Sequence, residues 1–149
     1  MSYINAAPGT ASAVTLILKS NSVSGNLTVP ALQDMTINNA NDIFTWTQLD
    51  GTSKFQVPTT ATNSISTNIV VDETTFFGNT AVGNTANSAS YLGVFGLSNA
   101  KTQCTFYVNF GTKTLTGTAY VTGLAPKISA DAPVWVTPVT LTVSGAYTA

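Results

Sequence analysis

Between Pro138 and Ser144, Val139, Leu141 and Val143 alternate with Thr140, Thr142 and Ser144. That period of two predicts a β-strand with one apolar face and one hydroxyl face. Similar segments recur along the chain. "AVTLILKS" predicts a strand ending at Lys19 and Ser20, "NSVSGNLTVP" a second interrupted at Gly25, and "DMTINN" a weaker third. "IFTWTQL" and "TSKFQVP" flank Asp50-Gly51 and predict a hairpin closed by a type I′ turn, whose twist matches the strands it joins. Phe44, Trp46 and Gln48 then share one face of the ribbon and Thr45, Thr47 and Leu49 the other, with Pro58 ending it.

"TTATNSISTN" reads as a polar link before the apolar "IVVDETTFFG", and residues 78–89 read as a flexible loop of Gly, Asn, Thr, Ala and Ser. "NSASYLGVFGLSN" predicts the one helix, capped by Asn87 or Ser88, with Tyr91, Leu92 and Phe95 on one side. Gly93 and Gly96 each weaken it by about 1 kcal/mol relative to Ala. Strands return in "TQCTFYVNF" and "TLTGTAYVTGL", separated by a turn at Asn109–Thr112, and "APKISADAP" links them to the last strand. No domain boundary or internal repeat interrupts this order, so residues 1–149 are expected to form a single domain. The fold class expected is mainly β, a β-sandwich or barrel with one short flanking α-helix.

Charge changes the picture most. Asp, Glu, Lys and Arg make up 7% of the chain, against about 25% in ordinary soluble domains. Ser and Thr make up roughly a quarter and supply the polar surface instead. Subunits with so little charge lack mutual repulsion, and neutral hydroxyls desolvate more cheaply than ions, so self-association is favoured. Lys19, Lys54, Lys101, Lys113 and Lys127 are too few and too dispersed to predict a phosphate-binding face.

Catalytic equipment is sparse. There is no histidine, hence no ordinary general base, triad partner or imidazole metal ligand. The single Cys104 predicts a small core residue rather than a disulfide or zinc site. Asp72 and Glu73 are the only adjacent acids, and on a strand they point to opposite faces. "FGTKTLTG" lacks the order and context of a phosphate loop. The N-terminal apolar run, Ala13 to Leu18, is too short for a signal peptide or membrane span, so synthesis in the cytoplasm is expected. No enzyme activity, cofactor or metal is expected.

The stretches "PTTATNSISTNIVVDETTFFG" and "GTAYVTGLAPKISADAPVWVTPVTLTVSGAYT" resemble the major tail (tail tube) protein of long-tailed bacteriophages, over roughly the last two-thirds of the chain from Trp46 on. The resemblance lies in the order of features: an Asp-Gly hairpin, a Thr/Asn-rich link, a short helix, a Gly-x-x-Tyr-Val-Thr strand, and a proline-flanked last strand ending in Ser144-Gly145-Ala146-Tyr147. It implies a tail-tube-like β-sandwich subunit that forms hexameric rings stacked into a hollow tube. Sheets of neighbouring subunits would join around the lumen, and a long loop or hairpin would reach the next ring. It also implies a place in the virion and partners: copies of itself, tape measure, tail terminator and baseplate proteins, and a sheath where the tail contracts. DNA would pass through without specific binding. The lumen of such tubes is described as acidic, whereas outside its last third this chain offers only Asp34, Asp42, Asp50, Asp72 and Glu73.

The function expected is therefore a tail tube subunit. The alternatives are another assembly protein, such as a capsid decoration protein, or a carbohydrate-binding module stacking sugars on Trp46 or Trp135. The Thr45–Pro58 hairpin and the Val71–Ala89 segment mix apolar with small polar groups and are candidates for subunit contacts. The residues singled out are Trp46, Asp50, Gly51, Phe55, Val57, Asp72, Phe76, Phe77, Thr140 and Thr142.

Overall fold

A computed structural model describes residues 15–20, 26–29, 32–78, 89–110 and 113–149. In chain order the elements are β1 (Thr15–Ser20), β2 (Asn26–Val29), β3 (Leu32–Thr47), β4 (Lys54–Val70), α1 (Glu73–Phe77), α2 (Ala89–Asn99), β5 (Cys104–Asn109), β6 (Thr114–Leu124), β7 (Lys127–Ser129) and β8 (Ala132–Thr148). The strands form one antiparallel sheet in the order β2-β1-β5-β6-β8-β4-β3, with β7 paired to β8.

Alternation decides which face is buried. Leu16 and Leu18 of β1, Phe106 and Val108 of β5, and Val139 and Leu141 of β8 have no exposed surface, while their neighbours point outward. These side chains join Leu27 and Val29 of β2 and Ile65 and Ile69 of β4 in one cluster. Strands from opposite ends of the sheet thus share a core: the sheet wraps around its own apolar face. Phe76, Val94 and Leu97 from the helices complete that core. The mainly β, sandwich-like expectation holds.

Several local expectations do not. The stretch 59–68, expected as a polar link, is strand, and β4 runs unbroken to Val70. Its inward face is Asn63, Ile65, Thr67 and Ile69, all buried, so half of the apolar signal is replaced by polar residues. Hydrogen bonds accommodate most of this polarity: Asn63 Nδ2 donates to the Gly145 carbonyl at 2.8 Å and the Thr67 hydroxyl to the Asp34 carbonyl, while Asn63 Oδ1 is buried without a partner among the described residues. Pro58 does not end the ribbon. It pairs with Ile43 on a stretch of β4 that β8 does not flank, where a missing N–H costs little. The "APKISADAP" link contains β7, and β8 starts at Ala132. "DMTINN" belongs to the sixteen-residue β3.

The helical region also differs in detail. A five-residue helix, α1, follows Asp72, whose carboxylate caps it by accepting from the Thr75 N–H at 3.1 Å and the Thr75 hydroxyl at 3.0 Å. In α2 the backbone breaks at Gly93, with φ 66° and ψ 178°. The predicted apolar side therefore does not carry through the helix. Val94 and Leu97 are buried, Leu92 is half-buried and Phe95 is exposed. The side chain of Tyr91, the caps expected at Asn87 and Ser88, and all but the two ends of the loop expected at 78–89 lie outside the described residues.

Gly93 is where α1 abuts α2. A methyl there would meet the Phe76 and Thr75 carbonyl oxygens at 2.6 and 2.8 Å. Gly93→Ala is expected to destabilise the fold by about 3 kcal/mol or more, through a backbone conformation reserved for glycine plus overlap. Gly51→Ala, with open space around it, is expected to change urea unfolding little.

Burial pushes the Cys104 thiol up from 9.0 to about 11 and raises the Tyr147 phenol. Both groups are protonated in the folded state, so the stability they supply is complete below the thiol's unfolded value and is lost as pH climbs through its folded one. The urea midpoint is expected to fall between pH 9.0 and about 11, and less steeply in Cys104→Ala.

Candidate functional site

Every residue from Asn38 to Thr62 is exposed, although nearly all of them are in β3 and β4. β4 pairs with β8 only from Asn63 to Val70. Beyond that branch point the two strands leave the body as a free ribbon, or arm, reaching roughly 30 Å at strand rise. Its base is fixed by β8: Tyr147 Oη lies 2.7 Å from the Asn38 carbonyl and 3.0 Å from that of Ser64, and Gly145 accepts from Asn63. A bulge in β4 between Pro58 and Ala61, opposite Asn41–Ile43 of β3, bends the arm. Thr60 Oγ1 donates to the Asp42 carboxylate at 2.9 Å and Thr59 Oγ1 to the Asp42 carbonyl at 3.2 Å, which fixes that bend.

One face of the arm is apolar. Phe44 pairs with Val57 and Trp46 with Phe55 in register. The Trp46 ring stacks between Phe44 and Phe55, with centroids 5.8 and 5.6 Å apart. This confirms the shared face expected for Phe44 and Trp46. The predicted type I′ turn is absent. The strands stop at Thr47 and Lys54, and Gly51 N–H closes a turn on the Gln48 carbonyl at 3.2 Å. Neither Asp50 nor Gly51 has the positive φ a type I′ turn requires. Leu49, fully exposed, is the outermost apolar group.

A second apolar region lies beside the helices. Val71, Phe77, Pro126 and Trp135 line a groove of about 220 Å³, floored by Phe76. Phe76, Phe77 and Phe95 form an aromatic cluster with centroids 4.9 to 6.0 Å apart. Phe77 is exposed as expected of a contact residue, but Phe76 is 2% exposed and belongs to the core. Its neighbour points outward because α1 rotates successive side chains by about 100°. Trp46 and Trp135 lie in different regions, arm and groove, so they do not share a sugar-stacking platform.

The third region is the outward face of β3, β4, β6 and β8. Tyr120, Thr142, Ser64 and Asn38 are register partners across the four strands, and Thr140, Ser66 and Thr36 form the adjacent row. Thr122 and Thr142 share a hydrogen bond of 2.8 Å, and Asn38 donates to Ser64 at 3.2 Å. Part of this polar face is therefore hydrogen-bonded within itself. Two ions fall on this side of β3 by alternation, Asp34 at the corner, held by the Asn68 amide at 2.9 and 3.0 Å, and Asp42 out on the arm. Thr140 and Thr142, singled out for their hydroxyls, are centred here; Asp72 is the helix cap, and Asp50 and Gly51 are at the end of the arm. Among the described residues there is no group of three or more metal-ligating side chains, and no helix is long and apolar enough to cross a membrane.

No protein-family profile matches the chain, and no curated protein matches it in sequence. Its fold does match solved structures. Over 89% of this chain and 93% of the other, it is similar to a chain in the tail of an empty GTA particle refined with C6 symmetry, at a TM-score of 0.63 and 13% identity. It is similar to the SPP1 tail tube over 93% of this chain and 77% of that one, at 0.63 and 14%. A chain in the baseplate of the anti-feeding prophage matches over 95% of both chains, at 0.62 and 8%. The fold is tail-tube-like.

The arm's contribution to stability is separable from that of the body. Trp46→Ala and Phe55→Ala are expected to change the urea unfolding free energy by about 1 kcal/mol or less, the scale of a solvated aromatic pair. Leu141→Ala in the core is expected to cost about 2–5 kcal/mol.

Proposed function

We propose that this chain is a virion structural protein, the tail tube subunit of a phage-like particle, and that it works by self-assembly rather than catalysis. Residues 1–149 act as one tail-tube-like domain. Hexameric rings of it stack into a tube through which DNA is delivered. The observation that carries this reading is the arm: a ribbon with an aromatic face and no body to pack on, built on a fold found in tail and tube assemblies.

An isolated two-stranded ribbon is marginal in water. Contiguous exposed apolar groups at this scale mark an interaction surface. Trp46, Phe55 and Val57 supply the buried area of the contact, with Asp50 and Gly51 at its end. Phe77 and the groove beside it supply a second apolar surface on the same chain, as a repeating head-to-tail contact requires. Such a contact closes into rings or propagates into tubes, and both consume the free strand edges. The terminal rings meet terminator and baseplate proteins, the lumen houses a tape measure protein during assembly, and a sheath surrounds the tube where the tail contracts.

Negative-stain electron microscopy of the purified protein is expected to show rings or tubes. The double variant Trp46→Ala/Phe55→Ala is expected to keep its circular dichroism spectrum and lose these assemblies. A wild-type protein that stays monomeric at high concentration would overturn the reading. Trimers, in place of sixfold rings, would favour a capsid decoration protein.

A further inference from the structure

We infer that the neutral hydroxyl face of β3, β4, β6 and β8 forms the wall of the channel, so that DNA slides over hydroxyl rows that carry no ion and are partly hydrogen-bonded within themselves, instead of being held off by acidic groups. This rests on the tube reading above. A tube divides the surface of its subunit among contacts, exterior and channel. The exposed large apolar side chains cluster on the arm and beside the helices and β7, whereas Tyr120 is the only one in the hydroxyl rows. That makes the face a poor contact surface.

The exterior is also a poor assignment. Charge on a solvent-facing surface aids solubility, so the few ions of this chain are expected on the exterior. All the charged side chains are exposed, and all but Asp34 sit away from the hydroxyl rows: Asp42, Asp50 and Lys54 on the arm, Asp72 and Glu73 at α1, and Lys101, Lys113, Lys127 and Asp131 in or beside turns and β7. Lys19 is on β1, beyond β5, and Asp34 is tied to Asn68 at the corner. The central strands β6 and β8 carry no ion on their outward face.

Such a face suits a passing polyanion. DNA binds proteins chiefly when Lys and Arg side chains displace its condensed counterions, and the hydroxyl rows carry neither. The remaining route to adhesion is hydrogen bonding from hydroxyls to phosphate. The Thr122–Thr142 and Asn38–Ser64 bonds occupy donors that would otherwise be offered to it.

The test is labelling of Thr142→Cys in assembled tubes. Cys104 is buried and its thiol is held up to about 11, so it gives no background at neutral pH. Free subunits are expected to react both with a small maleimide and with a maleimide coupled to a folded protein too wide to enter the tube. In tubes the small reagent is expected to react and the wide one to lose its reaction. Reaction with both would put the face outside. Reaction with neither, or failure of this variant to assemble while wild type does, would make the face a subunit contact; each outcome overturns the inference. Absence of wild-type tubes would instead overturn the reading on which it rests. As a second readout, Thr142→Lys tubes are expected to retain a short labelled duplex at low salt and release it as salt rises, whereas wild-type tubes retain none. Retention by wild type would overturn the neutral-wall inference.

Discussion

Burial of one apolar face of a single sheet is the interaction on which the rest of this molecule depends. Helices α1 and α2 are too short to cover eight strands, so the sheet covers itself, bringing Leu27 and Val29 into one cluster with Ile65 and Ile69. Wrapping uses up the inward residues and fixes what remains. The outward face is left to hydroxyls and amides, and β3 and β4 run past the body because no core is left for them to cover. Arm and neutral face are both consequences of where the core ends.

Low charge then gives these leftovers their character. In an ordinary domain the outer half of a long hairpin would carry Lys and Glu to keep its edges from pairing. Here Asp42 is tied to Thr60 within the arm, and only Asp50 and Lys54 remain at its end. In the proposed tube, what would be a hazard in a monomer becomes the means of association, because a repeating contact occupies the edges that would otherwise recruit chains at random.

How much of this was legible in the sequence depended on what each residue faces. The strands with apolar inner faces, β1 and β8, follow from alternation alone, as does the ribbon around Trp46 and Phe55. β4 did not, because Asn63 and Thr67 stand in the core where a hydrophobic residue is expected. Their partners, Gly145 and Asp34, lie far away in sequence and no local pattern announces them. Phe76 and Phe77 are adjacent and chemically identical, and only the helical rotation set by the Asp72 cap separates core from surface. The hydroxyl row of β8 was visible as a row. Its extension across β4 and β3 required the register, which one extra residue in β3 and one in β4 each shift by a residue.

The place of β8 in the sheet also sets the order in which the molecule is made. β8 comes last among the strands, yet it lies between β6 and β4, pairing Val121 with Leu141 on one side and Ile65 with Leu141 on the other. Until the ribosome has released it, the β2-β1-β5-β6 group and the β3-β4 ribbon have no strand to join them. The ribbon closes from local pairs such as Thr47 with Lys54 and forms early, whereas body closure waits for contacts as distant as Asn63 with Val143. A nascent chain therefore presents its adhesive aromatic arm before it has a finished body. An exposed aromatic ribbon that precedes body closure is the kind of intermediate from which chains aggregate.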